Sequence, residues 1–227
     1  MRVLTWNLFH GRAVPDVPRA LFDEFSEALA GWGWDVALLQ EVPPWWPDRL
    51  ARATGAQTRL ALTSRNWLLP LRRLVADRRP DLIKSNGGGC NAILVRPTAG
   101  MISAHRSARL RLCPERRVVH AVRLGELWVA NVHAQVRPHE QTRADLRRAG
   151  AVLLEWAGPK APVLLGGDMN VVDPIVEGFV DLGGHRVDRF LARGLVAKAP
   201  PRTLERGSLS DHAPVVIELE RAPADGA

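Results

Sequence analysis

Tyrosine is absent from this chain of 227 residues, and cysteine nearly so: Cys90 and Cys113 are the only two. A lone pair of thiols makes neither a disulfide framework nor a complete zinc set, so both read as reduced. No apolar run approaches the ~18 residues of a membrane span. The N-terminus lacks the layout of a signal peptide, because Met1-Arg2-Val3-Leu4-Thr5-Trp6-Asn7 reads at once as a strand with polar punctuation. These absences give the expectation of a cytoplasmic protein. Acidic residues are outnumbered, 24 against 31 basic, for a net charge of +7. Nearly all the positive charge is arginine, whose fork matches phosphate oxygens in pairs. A polyanionic partner fits that balance, although Ala-, Arg- and Pro-rich chains also arise from GC-rich coding alone.

What remains is an ordinary globule, 46% hydrophobic and 24% charged, long enough for a sizeable core. One domain over residues 1–220 is expected, because the candidate site residues run from Asn7 to His212, with a frayed tail at 221–227. The sequence sets no oligomeric state.

Periodicity predicts strands over 2–8, 36–40, 57–62, 91–96, 101–112, 163–165, 186–191 and 215–219. Residues 118–124 and 127–132 read as a hairpin about Gly125-Glu126. Helices are predicted over 20–30, 48–54 and 139–156, the first ended by Gly31 and the second by Gly55. Pro43-Pro44 forbids any extension of the second strand. Several strands follow one another with no helix between, unlike the alternation of a parallel doubly wound sheet. The expectation is an α/β fold of two mostly antiparallel sheets packed face to face, with helices outside.

The chemistry gathers at strand ends. Gly166-Gly167-Asp168-Met169-Asn170 follows the apolar run Val163-Leu164-Leu165, and Ser210-Asp211-His212 precedes Val215-Val216-Ile217. Thr5-Trp6-Asn7, Leu39-Gln40-Glu41, Asn131-Val132-His133 and Val187-Asp188-Arg189 have the same form. Singly each is weak: an Asn after a strand is usually a turn former, and a lone His usually a satisfied structural residue. Together, acids with Asn and His suggest a hard-metal site that activates water against a phosphate.

In that order, the set resembles the endonuclease/exonuclease/phosphatase superfamily, which includes deoxyribonuclease I and exonuclease III-like enzymes. The resemblance runs from Met1 to about Leu219. It implies a four-layered α/β sandwich and hydrolysis of phosphate esters with a divalent metal, Mg²⁺ or Mn²⁺ as its substitute. By position it implies that Glu41 is the direct metal ligand, with Asn7 and Asp211 on the metal side. It implies that Asp168 and Asn170 activate or position the attacking water. His212 then contacts the scissile phosphate, Asp188 pairs with it, and His133 is the second histidine of the deoxyribonuclease branch. Asp168 is preferred as the base, with His212 as the cationic donor; a neutral His212 could exchange that role with it.

The chain also departs from the family. Without tyrosine it lacks the phosphate-contacting phenol of the abasic-site branch. Gly87-Gly88-Gly89-Cys90-Asn91 carries no acid where the deoxyribonuclease branch has a Glu, so Asn91 becomes a candidate for the site. Residues 64–86 are basic where the family has a short connection, with Arg65, Arg72, Arg73, Arg78, Arg79 and Lys84 against Asp77 and Asp81. Arg72, Arg73, Arg78 and Arg79 could clamp a nucleic-acid backbone while Trp67 stacks on a base. The rival is a solvated helix over the sheet edge with Trp67 in the core. Trp45-Trp46 could wall a sugar or base pocket, or pack on the preceding helix. The reading favours a nuclease acting on DNA or RNA. Its alternative is a phosphomonoesterase, or a phosphodiesterase for small molecules or lipid head groups.

Overall fold

Strands buried on both faces dominate the centre of the molecule. The computed structural model describes residues 1–64 and 66–223. Arg65, counted in the basic segment, and residues 224–227 of the expected tail lie outside the described residues. Strands β1 (Arg2–Asn7), β2 (Val36–Val42), β4 (Cys90–Val95), β7 (Leu127–His133) and β8 (Val163–Asp168) are buried almost throughout. A strand covered on both faces reads as a continuous apolar run, as these do.

The first sheet has the order β11-β13-β1-β2-β4-β3, with β12 paired to β13. Here β3 is Gln57–Leu62, β11 Leu195–Ala197, β12 Arg202–Thr203 and β13 Val215–Arg221. The second sheet has the order β5-β6-β7-β8-β10-β9. Its further strands are β5 (Ile102–Arg111), β6 (Arg117–Leu124), β9 (Val180–His185) and β10 (Asp188–Arg193). Helices α1 (Phe22–Gly31) and α2 (Pro47–Thr54) cover the first sheet, and α5 (His139–Ala157) covers the second. Leu4, Trp6 and Leu39 pack outward on Phe25, Leu29 and Leu50. Val3, Leu38 and Ile93 pack inward on Val122, Val129, Leu164 and Phe190. Leu165 and Leu191 pack on Leu146, Ala149 and Leu153. The result is the expected four-layered α/β sandwich.

Each sheet holds one parallel pair, β1–β2 and β7–β8, and antiparallel pairs elsewhere. A parallel pair needs a crossover, which α1 and α5 provide. The consequence is positional: Asn7 lies beside Gln40, and His133 beside Asp168, at the C-terminal ends of the two pairs. Asp188 opens β10 directly opposite Asp168.

A buried polar contact locks the sheets together beneath those ends. Gln40 Nε2 donates to Asn131 Oδ1 at 2.8 Å and to Thr5 Oγ1 at 3.1 Å. Asn131 Nδ2 donates to the carbonyls of Leu39 and Ala92, each at 2.9 Å. Buried amides held this way fix one register of two otherwise apolar faces.

The basic segment, for which a solvated helix is one of the two expectations, is not a single helix. It forms α3 (Leu69–Arg78), α4 (Pro80–Ile83) and a 3₁₀ turn at Lys84–Gly87. The strand expected at 186–191 begins at Asp188, because Arg186 takes a positive φ of 53° in the preceding turn. Among the described residues no helix is long and apolar enough to cross a membrane.

Candidate active site

Asp168 is the meeting point of the strand ends. Asn7 Nδ2 donates to its Oδ2 at 3.0 Å, and the Asn170 backbone N–H to its Oδ1 at 3.1 Å. His133 Nε2 stands 3.5 Å from Oδ2 and His212 Nε2 3.7 Å from the same oxygen. The two glycines before Asp168 make this approach possible. A Cβ on Gly166 would come 2.6 Å from Leu38 Cδ1. Gly167, at φ 142°, lies so close to the β7 backbone that a Cβ would overlap the Val132 carbonyl.

His212 is held from behind. Its Nδ1 lies 2.7 Å from Asp188 Oδ2, an acceptor that fixes the proton on Nδ1. Its backbone N–H donates to Ser210 Oγ at 3.0 Å, and Ser210 Oγ donates to the Asn7 carbonyl at 2.6 Å. Trp6 Nε1 donates to the His212 carbonyl at 3.0 Å. Ser210, at φ 62°, thereby ties the His212 loop to the end of β1.

The ionisable groups divide by their company. Burial opposes charge on His212, but the hydrogen bond and charge of Asp188, with Asp168 and Asp211, raise its pKa to about 9. Burial and the Asp188 carboxylate push Asp168 up to about 7, against the pull of His212 and Asn7. Burial also raises Asp188, opposed by His212. His133 is driven well below the ordinary histidine range by burial and by the Arg117 guanidinium, so its ring is neutral.

Glu41 stands across the cleft at φ 49°, with His133 Nε2 3.9 Å from its Oε1. Burial opposes its charge, yet hydrogen bonds with His10 and Asn7 hold its carboxyl well below the usual range. Glu41, His10 and His133 border a cavity of about 300 Å³ that also takes in Arg12, Arg116 and Arg117.

The structure therefore brings Asn7, His133, Asp168, Asn170, Asp188 and His212 together, with Glu41 next to His133. Asn170 Nδ2 donates to the Ala134 carbonyl at 3.0 Å, so its amide anchors the loop. Asp211 is exposed and lines a second cavity of about 300 Å³ with Asp188, His212 and Arg206. Among the described residues no hydrogen bond or ion pair joins Asp211 to Glu41 or Asn7; its charge reaches His212 instead.

The substrate candidates lie elsewhere. Asn91 is fully buried between the sheets, with Nδ2 on the Val118 carbonyl at 3.2 Å, so it does not approach the cleft. Trp67 is 72% exposed, which excludes a place in the core. Arg72 donates to the Asn86 carbonyl and Arg78 to the Leu74 carbonyl at 3.4 Å. Arg73 borders an apolar hollow of about 350 Å³ with Pro44, Trp45, Leu69 and Pro70. Arg79 caps α3 through its backbone N–H on Val75. Neither Trp67 nor these arginines border the Glu41 cavity. Trp46 is buried against α1, 5.2 Å from Phe22 and 5.5 Å from Phe25 between ring centroids, and with Trp45 it lines a void of only about 30 Å³ beside His10 and Gly88.

Sequence pattern alone does not single out the cleft's own residues His10, Arg12, Arg116 and Arg117. The signal for the last two was the Glu115-Arg116-Arg117 cluster before the apolar β6; His10 follows the Asn7 strand end by three residues.

No curated protein matches this chain. Among solved structures, an endonuclease/exonuclease/phosphatase from Beutenbergia cavernae superposes with a TM-score of 0.72 at 18% identity, covering 97% of this chain and 71% of the other. A humanized TDP2 from Danio rerio gives 0.68 at 16%, covering 97% and 98%. The mannosyl-6-phosphatase of Bacteroides thetaiotaomicron gives 0.65 at 13%, covering 97% and 99%. The sequence pattern of the Endonuclease/Exonuclease/phosphatase family matches residues 4–212. Over nearly its whole length, then, the chain belongs to the Endonuclease/Exonuclease/phosphatase family of phosphate ester hydrolases.

Proposed function

We propose that this enzyme is a divalent-metal-dependent phosphodiesterase that hydrolyses DNA or RNA. The observation that carries the reading is one buried carboxylate, Asp168, whose Oδ2 lies between the Nε2 atoms of His133 and His212 at 3.5 and 3.7 Å. Asp168 takes the proton of the attacking water, a role suited to a base with a pKa of about 7. Asn7 and the Asn170 backbone aim its two oxygens. His212, cationic at neutral pH, donates from Nε2 to a phosphate oxygen as negative charge builds there, and Asp188 stabilises that cation. His133 contributes a neutral ring on the opposite side of Asp168.

The residues present suit a divalent cation. Glu41 remains ionised although largely buried, and it opens on a cavity. Asn7 Oδ1 accepts from the Phe9 N–H at 3.0 Å and keeps a second lone pair. Glu41 would hold Mg²⁺ or Mn²⁺ with Asn7 beside it. When bound, the ion offsets charge on the phosphate. Nucleic acid is favoured by Arg12, Arg116 and Arg117 along the cavity and by the net charge of +7.

One observation favours a lipid head group as a second reading. Trp67, Leu68, Leu71, Leu74 and Leu82 are all exposed beside the basic residues of α3, a combination that suits a membrane interface better than a phosphate backbone. Incubation with Mg²⁺ and, in parallel, plasmid, single-stranded DNA, RNA, anionic phospholipid vesicles and small phosphate esters separates the two. Cleavage of nucleic acid, abolished in Asp168→Ala and His212→Ala, is the expected result. Turnover of lipid or small esters alone would overturn the nuclease reading, and nicking that survives both substitutions would overturn the site.

A further inference from the structure

His10 has no part in the reaction as derived above, yet its surroundings are built for it. Its Nε2 lies 3.0 Å from Glu41 Oε2, and its Nδ1 lies 3.2 Å from the Gly88 carbonyl oxygen. A carbonyl can only accept, so Nδ1 carries the hydrogen. In the neutral ring, Nε2 then presents a lone pair beside a carboxylate oxygen. Two electron-rich atoms at that separation call for a shared cation, either a proton or a metal. One imidazole nitrogen donating to a backbone carbonyl while the other faces outward is how proteins fix the tautomer of a metal-ligating histidine.

The local backbone supports that geometry. Phe9, His10 and Gly11 run consecutively through the left-handed region, at φ 49°, 55° and 75°. Such a run is costly for the two side-chain-bearing residues and persists only where surrounding contacts enforce it. A Cβ on Gly11 would overlap the Trp46 ring, and one on Gly89 would stand 3.3 Å from His10 Cε1. The imidazole, Glu41 and His133 border the same cavity, so an ion entering it meets all three.

We propose that His10 Nε2 is a nitrogen ligand of the divalent ion held at Glu41, and that it biases the site from Mg²⁺ toward transition ions that accept imidazole. The inference rests on Glu41 being the metal carboxylate. Mg²⁺ favours oxygen donors, whereas imidazole suits first-row transition ions, so a His–Glu pair discriminates between them.

The test is calorimetric titration of the full chain with Co²⁺ and with Mg²⁺, for wild type, Glu41→Gln, His10→Ala and His10→Gln. The metal-free melting temperature of each variant is read alongside. The expected result is a ~10–100-fold loss of Co²⁺ affinity in His10→Ala, the scale set by residues that support a metal site, with Mg²⁺ affinity near wild type. His10→Gln keeps a hydrogen-bond donor for Glu41 but no imidazole nitrogen, so it should behave like His10→Ala; it also reads the question if His10→Ala does not fold. Co²⁺ affinity restored in His10→Gln, or Co²⁺ and Mg²⁺ weakened equally, would make His10 a mere support for Glu41 and overturn the proposal. Wild-type affinity for both ions in the His10 variants, with loss in Glu41→Gln, overturns only the role of His10. Wild-type affinity in Glu41→Gln overturns the reading of Glu41 beneath it. Pulsed EPR of bound Mn²⁺ adds a signature: the ¹⁴N modulation should weaken in both His10 variants, with His133→Ala as the control for the other ring.

Discussion

The two sides of the cleft hold their carboxylates in opposite states. Asp168 and Glu41 both lie at strand ends, both are largely buried, and both face His133. Burial pushes each toward the neutral form, yet Asp168 rises to about 7 while Glu41 stays ionised far below. The difference is company. Asp168 has the Asp188 carboxylate nearby, a like charge, whereas Glu41 has the His10 ring in contact. Burial sets the size of the electrostatic problem, and the neighbours decide its sign. One side is thereby suited to moving a proton and the other to holding a cation.

The strongest way to break that comparison is to remove the proton-moving side. Asp168→Ala and His212→Ala should each lower kcat/KM by ~10³-fold or more, the scale of residues acting as a unit, with far-UV circular dichroism unchanged. Next in size, Asp188→Asn removes the anchor of the His212 cation. A loss of ~10²–10⁴-fold is expected for disabling a positioned acid, and the alkaline limb of the rate profile should move below its wild-type position near pH 9. The same shift has a stability consequence. His212 is raised on folding from 6.5 to about 9, so its contribution is complete below pH 6.5 and is lost as pH rises through 9. Chemical denaturation of wild type and Asp188→Asn across that window should show the loss in wild type only.

Two smaller effects sharpen the contrast. Asn131→Ala leaves Gln40, the residue before Glu41, without its partner across the sheets. It should cost ~1–3 kcal/mol in urea unfolding, the cost of a buried group left unpaired, and reduce activity only through stability. Leu71→Ser with Leu74→Ser alters the exposed face of α3 and should change stability by no more than ~0.5 kcal/mol for each surface substitution. Unaltered cleavage of DNA by that variant is expected, measured beside its affinity for anionic vesicles.

Much of this arrangement was legible in the sequence, for a physical reason. Strands buried on both faces appear as apolar runs, so β2, β7 and β8 announced themselves, and the polar groups ending them pointed to one rim. The ordered resemblance then joined Asp168, Asp188 and His212 across stretches no local pattern could bridge. What stayed hidden depends on folding in three dimensions. Val180–His185, for which the sequence predicts no element, becomes a strand because β10 pairs with it. His10 is a lone histidine in a turn until Gly88, more than seventy positions away, supplies its carbonyl. Arg117 appears as a surface charge yet is buried against Glu115 and Gln135. Conversely, the arginines of α3, conspicuous in the sequence, lie outside the Glu41 cavity.

The most direct test of the central claim is an NMR titration of the His212 ring in the metal-free protein, assigned by comparison with His212→Ala. The account predicts an apparent pKa of about 9 in wild type and a clear fall in Asp188→Asn. A value at or below the ordinary 6.5, unmoved by that substitution, would contradict it.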